Sequence, residues 1–212
     1  MKIDRAGFPF IAAALVPAAG LVAARRYGWA TSFALLGGFF AYFFRDPDRQ
    51  VPSGRDLVVS PADGRVMAAG PAGDGSSPPG RWTQVTIFLS PLDVHINRSP
   101  VAGCVTRIEY RPGRFLPAYD ARANENELNE IWVDAGGTTV VFRQVVGILA
   151  RRIVCRIEEG QCVGLGERIG LMKFGSRMDV FLPPEVELKV GVGETVTAGE
   201  TILANLRRND AA

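Results

Sequence analysis

The sequence predicts a mainly β (α+β) protein, with a compact, multi-stranded sandwich or barrel-like domain preceded by hydrophobic N-terminal helices. Two uncharged apolar runs fill the front of the chain, FPFIAAALVPAAGLVAA over residues 8–24 and YGWATSFALLGGFFAYFF over residues 27–44. After Pro47 the composition changes to short β-type runs broken by turn residues: LVVS, GRVMAA, TQVTIFLS, CVTRIEY, IWVDAG, TTVVFRQVVGILA, RRIVCRI, RMDVFLP and VELKV. No internal repeat or heptad accompanies them. The expected division is therefore a hydrophobic segment of two short helices, residues 1–45, and a β domain, residues 46–212.

Each apolar run sits near the lower length limit of a membrane-spanning helix. Lys2 and Arg5 precede the first, Arg25 and Arg26 separate the two, and Arg45-Asp46-Pro47-Asp48-Arg49 ends the second. Tyr27, Trp29 and Tyr42 suit the headgroup level. A second apolar run, and no clear cleavage context after the first, argue against a secretory signal peptide. Membrane attachment is preferred to buried core helices. Positive charge on both sides of the first segment leaves a tight hairpin and a shallow, re-entrant anchor both open.

A core is affordable in a chain of 212 residues that is 47% hydrophobic. With 24 basic and 22 acidic residues the net charge is +2, so the basic stripe that a phosphate backbone demands is missing and nucleic acid is not an expected partner. One histidine and three cysteines without ligand spacing give no expected metal. Cys104, Cys155 and Cys162 read as reduced, buried thiols, which suits a cytosol-facing protein. GPAGDGSSPPG, residues 70–80, is a surface loop by composition, and AYDARANENELNE, residues 118–130, a loop or short helix.

The stretch GLMKFGSRMDVFLP, residues 170–183, opens as a strand, is interrupted by Gly175 and Ser176, and resumes its alternation at Met178, Val180 and Phe181. Glycine inside a strand marks a bulge or a close approach, and an isolated Gly-Ser pair is most often the former. Two other polar groups stand at the ends of apolar runs: Asp63 in SPADGRV and His95 in FLSPLDVHINRSP. A serine nucleophile needs a base, and the base an orienting partner. Singly, an Asp before Gly is usually a turn residue and a lone His a structural donor.

Together these stretches become specific. GILARRIVCRI followed by GERIGLMKFGSRMDVFLP, with SPADGRV, FLSPLDVHINRSPVAG and GRFLPAYDARANENELNE upstream in that order, resembles the short-chain branch of phosphatidylserine decarboxylases over roughly residues 45–205. These are pyruvoyl enzymes whose chain cuts itself at a Gly-Ser bond. Departures exist: Arg98 stands where the longer-chain branch carries a second histidine, Leu128 where relatives usually carry arginine, and FGSR where the longer branch reads LGST.

The resemblance implies autocatalytic serinolysis between Gly175 and Ser176, giving a large chain 1–175 and a small chain 176–212. The small chain would begin with a covalent pyruvoyl cofactor made from Ser176. Its ketone would take up the amine of phosphatidylserine and accept the electrons released as carbon dioxide leaves, giving phosphatidylethanolamine. His95 would donate the proton and also serve in cleavage, Asp63 would orient His95, and Arg98 would attract the substrate phosphate or carboxylate. The hydrophobic front would hold the site at the cell membrane, on the cytoplasmic side. The expected partners are the lipid and the two chains of one precursor, with a homo-oligomer left open. Two rivals remain: a swinging-arm biotin or lipoyl carrier, from LMKF and GVGETVTAGETILAN, and a non-catalytic membrane-anchored β-rich binding protein.

Overall fold

The structure, a computed structural model, describes residues 2–54, 56–73, 77–147, 152–173 and 175–206. The chain divides after Asp48 into two compact units. In the first, strand β1 (Lys2–Ile3) leads through a short 3-10 turn into helix α1 (Phe8–Ala23), which is followed by α2 (Tyr27–Phe43) and β2 (Arg45–Asp46). Arg25 takes a left-handed φ of 59° and reverses the chain between the helices. Antiparallel packing follows from the contacts: Phe10 stacks near Phe40 and Phe44, Leu15 fills the space left by the missing side chain of Gly37, and β1 pairs antiparallel with β2 across the open end. The helical stretch Arg5–Ala23 is long and apolar enough to cross a membrane, with 17% of it buried. Val16, Trp29 and Leu35 stand at least two-thirds exposed.

The second unit is mainly β. Its strands are β3 (Leu57–Val59), β4 (Gly64–Pro71), β5 (Thr83–Leu89), β6 (Ile96–Arg98), β7 (Gly103–Arg111), β8 (Leu128–Asp134), β9 (Thr139–Val146), β10 (Ile153–Cys155), β11 (Cys162–Val163), β12 (Arg168–Met172), β13 (Ser176–Leu182), β14 (Thr195–Val196) and β15 (Ile202–Asn205). Eight form one antiparallel sheet in the order β11-β7-β8-β9-β13-β5-β4-β14. Register shifts at Val66/Ala68 and Val105/Arg107 mark the irregularities that bend strands and help the sheet curl. A three-stranded sheet, β10-β12-β6, and the pair β15-β3 complete the unit.

Central β13 is buried along its whole length. Met178, Val180 and Leu182 enter the main core with Ile87, Phe142 and Ile131. The alternate residues face the other way: Arg177 bonds Asp179 at 2.9 Å, Asp179 accepts from Thr86 at 2.8 Å, and the Arg143 guanidinium lies 4.8 Å from the Phe181 ring centre. Buried charge on that face is tolerated because it is paired.

Several expectations change. The Gly-Ser pair does not interrupt one strand: β12 and β13 lie in different sheets, and Gly175 stands where the chain crosses between them. VELKV makes only an isolated bridge, Leu188 with Ala204, whereas β6 and the short pairs of the C-terminal region are additional strands. Residues 118–130 become a 3-10 turn, Ala121–Glu125, followed by the start of β8. Part of the 70–80 loop, residues 74–76, lies outside the described residues, as do residues 148–151 of GILARRIVCRI.

The cysteine reading is also corrected. Cys104 and Cys162 are cross-strand partners of β7 and β11 and form a disulfide. Both are exposed, at the edge of the sheet, and Cys155 is a half-buried free thiol. A separation of 58 residues concealed the pairing, which only sheet register creates. The argument for a cytosolic face from reduced thiols falls with it.

Candidate active site

Gly175 is the hinge of the site. Its φ of +77° lies in the left-handed region, where a side chain would be strained. An added Cβ on Gly147, at the end of β9, would come within 2.3 Å of the Gly175 carbonyl oxygen, so the missing side chain of Gly147 lets the two backbone segments approach. Ser176 begins β13, opposite Val146 on β9 and Leu89 on β5. It is fully buried, and its Oγ has no hydrogen-bond partner.

His95 reaches this junction from the segment that follows β5. Asp93 closes a tight turn there, its carboxylate accepting from the Ser90 N–H at 2.7 Å. The Asp93 carbonyl then lies 3.0 Å from His95 Nδ1, and the Gly175 N–H donates to His95 Nε2 at 3.2 Å. A carbonyl only accepts, so Nδ1 carries the proton and Nε2 is the unprotonated nitrogen of a neutral imidazole. The Met172 N–H bonds the His95 carbonyl at 3.3 Å, fixing the residue beside the end of β12. The basic nitrogen therefore lies against the Gly175-Ser176 junction, engaged by the amide on the N-terminal side of the serine.

Asp63 and Arg98 are brought to a different place. Asp63 accepts from Arg49 at 2.6 Å and from the Ala198 N–H at 2.8 Å, and it makes no hydrogen bond to His95. Arg98 ends β6, is 5% exposed, and donates through Nη1 to the Gly166 carbonyl at 2.9 Å. Its own N–H bonds the Pro61 carbonyl, and its aliphatic stem packs against Gly199. It lies three positions beyond His95, about 10 Å of extended chain. The expected hydrogen bond of Asp63 with His95 is not made here.

Three neutral amides escaped the sequence reading. Asn129 Nδ2 donates to Gln144 Oε1 at 3.2 Å, and Gln144 Nε2 donates to Asn97 Oδ1 at 2.9 Å. All three residues are buried, and Asn97 Nδ2 has no partner. The available signal was alternation: Asn97 lies two residues beyond His95, on the same side of an extended chain. Gln144 was a polar interruption in TTVVFRQVV.

The loop of residues 112–127 closes one side. Asn126 Nδ2 donates to the Leu116 and Val146 carbonyls, Arg177 donates to Asn124, and Tyr119 meets Phe88 edge-on. Asp120 caps the 3-10 turn by accepting from the Arg122 N–H at 2.8 Å. The Arg122 side chain also hydrogen-bonds it and holds its carboxyl below the usual range. Among the described residues, no group of three or more His, Cys, Asp and Glu side chains is placed to hold a metal. A buried hydroxyl, a neutral imidazole and a left-handed glycine at one junction suit an internal acyl shift.

The sequence model of the phosphatidylserine decarboxylase family matches residues 36–204. Curated relatives named phosphatidylserine decarboxylase proenzyme include one from Solibacter usitatus, 46% identical over 211 residues, covering 96% of this chain and 97% of the relative. One from Pelodictyon phaeoclathratiforme is 48% identical over 175 residues, covering 82% and 81%. Another, from Burkholderia multivorans, is 42% identical over 208 residues, covering 97% of each.

Proposed function

Because the chain belongs to the phosphatidylserine decarboxylase family, we propose that it converts phosphatidylserine to phosphatidylethanolamine and carbon dioxide after cutting itself between Gly175 and Ser176. The observation that carries the proposal is the buried, unpartnered Ser176 hydroxyl next to a left-handed glycine whose N–H meets His95. A hydroxyl already out of water has no solvation to shed before attack.

In the proposed maturation, Ser176 Oγ attacks the Gly175 carbonyl carbon, the peptide nitrogen leaves, and an ester joins Gly175 to the serine oxygen. Loss of the Ser176 Cα proton and of the ester oxygen gives dehydroalanine. Tautomerisation and hydrolysis release ammonia and leave a pyruvoyl group at the head of chain 176–212. Once formed, that group supplies an electron sink for the departing carboxylate. The Ser176 position fits it: the residue is small, buried and anchored on both sides by β5 and β9.

His95 is the proposed proton carrier. Cutting the chain releases Gly175 from its covalent link to β13, so Nε2 is no longer tied to that amide and can deliver a proton to the substrate carbon. Asp63 and Arg98 enter as positioning residues: Arg98, bonded to the Gly166 and Pro61 carbonyls, fixes the far end of β6, the strand that begins just after His95, and Asp63 ties Arg49 to the Ala198 N–H. The exposed apolar hairpin is proposed to attach the protein to the bilayer that carries its substrate. Arg45 and Arg49 after the second segment favour a cytoplasmic placement.

The carrier reading is not favoured: Lys173 of LMKF is half-buried, and Leu171 and Met172 before it are fully buried, unlike a lysine displayed for modification. Release of carbon dioxide and phosphatidylethanolamine from phosphatidylserine vesicles tests the function. Ser176→Ala is expected to be uncut and inactive, since the attacking oxygen is gone. Full turnover by Ser176→Ala would refute the proposed site.

A further inference from the structure

We propose that Asn97 is a further catalytic residue of maturation: its side-chain amide donates a hydrogen bond to the Ser176 oxygen as that oxygen leaves Cβ. The inference rests on reading Gly175-Ser176 as the self-cleaved bond.

The three amides form a chain with a direction. Asn129 donates to Gln144, Gln144 donates to Asn97, and the chain ends on Asn97 Nδ2, a buried donor without an acceptor. Leaving such a donor buried and unmet is unfavourable. Pinning β6 to the large sheet explains the bond at Asn97 Oδ1. It does not explain the donor beside it, Nδ2, which is kept without an acceptor.

Register locates the donor. Gln144 lies opposite Met178, and Ser176 is two residues from Met178 on the same face of β13, about 7 Å along the strand. Asn97 is bonded to Gln144 and lies two residues beyond His95, whose Nε2 already meets Gly175. Among the described residues, the buried side-chain polar atoms without partners on this side of β13 are thus a donor, Asn97 Nδ2, and a hydroxyl oxygen able to accept, Ser176 Oγ.

In the elimination step the Ser176 Cα proton passes to His95, the base beside the bond. The released electron pair forms the Cα–Cβ double bond, the Cβ–Oγ bond breaks, and its pair stays on Oγ. That atom becomes one oxygen of the new Gly175 carboxylate. Negative charge therefore grows on Oγ, the unpartnered oxygen on this face of β13, and an uncharged amide can supply its hydrogen bond without itself titrating.

The test uses full-length Asn97→Asp, which keeps an oxygen for Gln144 but offers no donor when ionised. Hydroxylamine splits an ester between Gly175 and Ser176 and releases a small chain that begins with serine bearing a free amine. Wild type is expected to give the amine-blocked small chain. Asn97→Asp should instead accumulate as a full-length chain that hydroxylamine splits, with conversion about 10- to 100-fold slower, the effect of losing one hydrogen bond to a charged group. Its conversion should recover, relative to wild type, as pH falls through the carboxyl range, because a protonated acid can donate.

A folded Asn97→Asp that matures at the wild-type rate, or that stalls as a hydroxylamine-resistant chain, would overturn the proposal. If Asn97→Asp does not fold, Asn97→Ser is assayed in the same way. Failure of both to fold would overturn the proposal by assigning Asn97 to the architecture. A wild-type chain that never cuts would refute the cleavage reading itself, which separates the two failures.

Discussion

His95 precedes and Arg98 ends one short strand, and both belong to one motif, VHINR, yet their surroundings differ in kind. Around Arg98, bonds fix the chain: its guanidinium holds the Gly166 carbonyl, its amide holds Pro61, and nearby Asp63 is taken by Arg49 and Ala198. Around His95, bonding capacity is left over: Ser176 Oγ and Asn97 Nδ2 are buried without partners, and the Nε2 contact is long at 3.2 Å. Buried unmet groups are rare in native proteins. Arg49 Nε and Arg177 Nε are also unmet, but a guanidinium nitrogen is no nucleophile, whereas next to Gly175 the unmet atom is a hydroxyl oxygen and the same glycine meets an imidazole nitrogen. The difference teaches that a strand can serve as a strut at one end and carry a reactive group at the other.

The largest effect that breaks this contrast is expected from His95→Ala. Removing a placed proton carrier should slow self-cleavage by about 10²–10⁴-fold, followed as fragment ratio against time. Decarboxylation by the slowly matured protein should fall as well. Melting temperature should change far less. A parallel loss of stability and cleavage would instead make His95 a structural donor.

Gly147→Ala should have the next largest effect. Its backbone is not in the left-handed region, so alanine adopts it without torsional strain, and the added Cβ is pressed towards the Gly175 carbonyl. Overpacking of this kind costs about 1–3 kcal/mol, which, if borne by the scissile carbonyl, slows cleavage about 5- to 150-fold. Wild-type cleavage by a stable Gly147→Ala protein would show that the Gly175 carbonyl has room to move.

The smallest effect on chemistry is expected at the other end of β6. Asp63→Asn should lower stability by about 1–3 kcal/mol by weakening its charged hydrogen bonds, while cleavage changes only a few-fold. Thermal melting and fragment ratio measured on one preparation separate the two. A stable but uncut Asp63→Asn would return Asp63 to the proton relay and erase the contrast between the ends.

Much of the fold was legible because apolar alternation and turn residues are local signals. β4, β5, β7, β8, β9 and β13 all fall on runs visible as strands, and the two uncharged runs become α1 and α2. What escaped was set by partners distant in sequence. β6 is three residues long and becomes a strand by pairing with β12, and the Cys104–Cys162 bond exists because β7 and β11 are neighbours. The same holds at the site. His95, Gly175 and Ser176 were visible as residue types whose chemistry needs one another. Asn97 was not, because a buried amide declares itself only when its partners can be counted. Asp63 was assigned to His95 by analogy with other triads, but its side chain is taken by residues 14 positions before it and 135 after it.

The central claim is that the bond between Gly175 and Ser176 is the one the protein breaks in itself. Intact-mass analysis of purified, active protein under denaturing conditions tests it most directly. Two fragments, residues 1–175 and 176–212, are expected, with the smaller one lacking a free amine because its first residue has become a pyruvoyl group. A single unmodified chain in a preparation that releases carbon dioxide from phosphatidylserine would contradict the account.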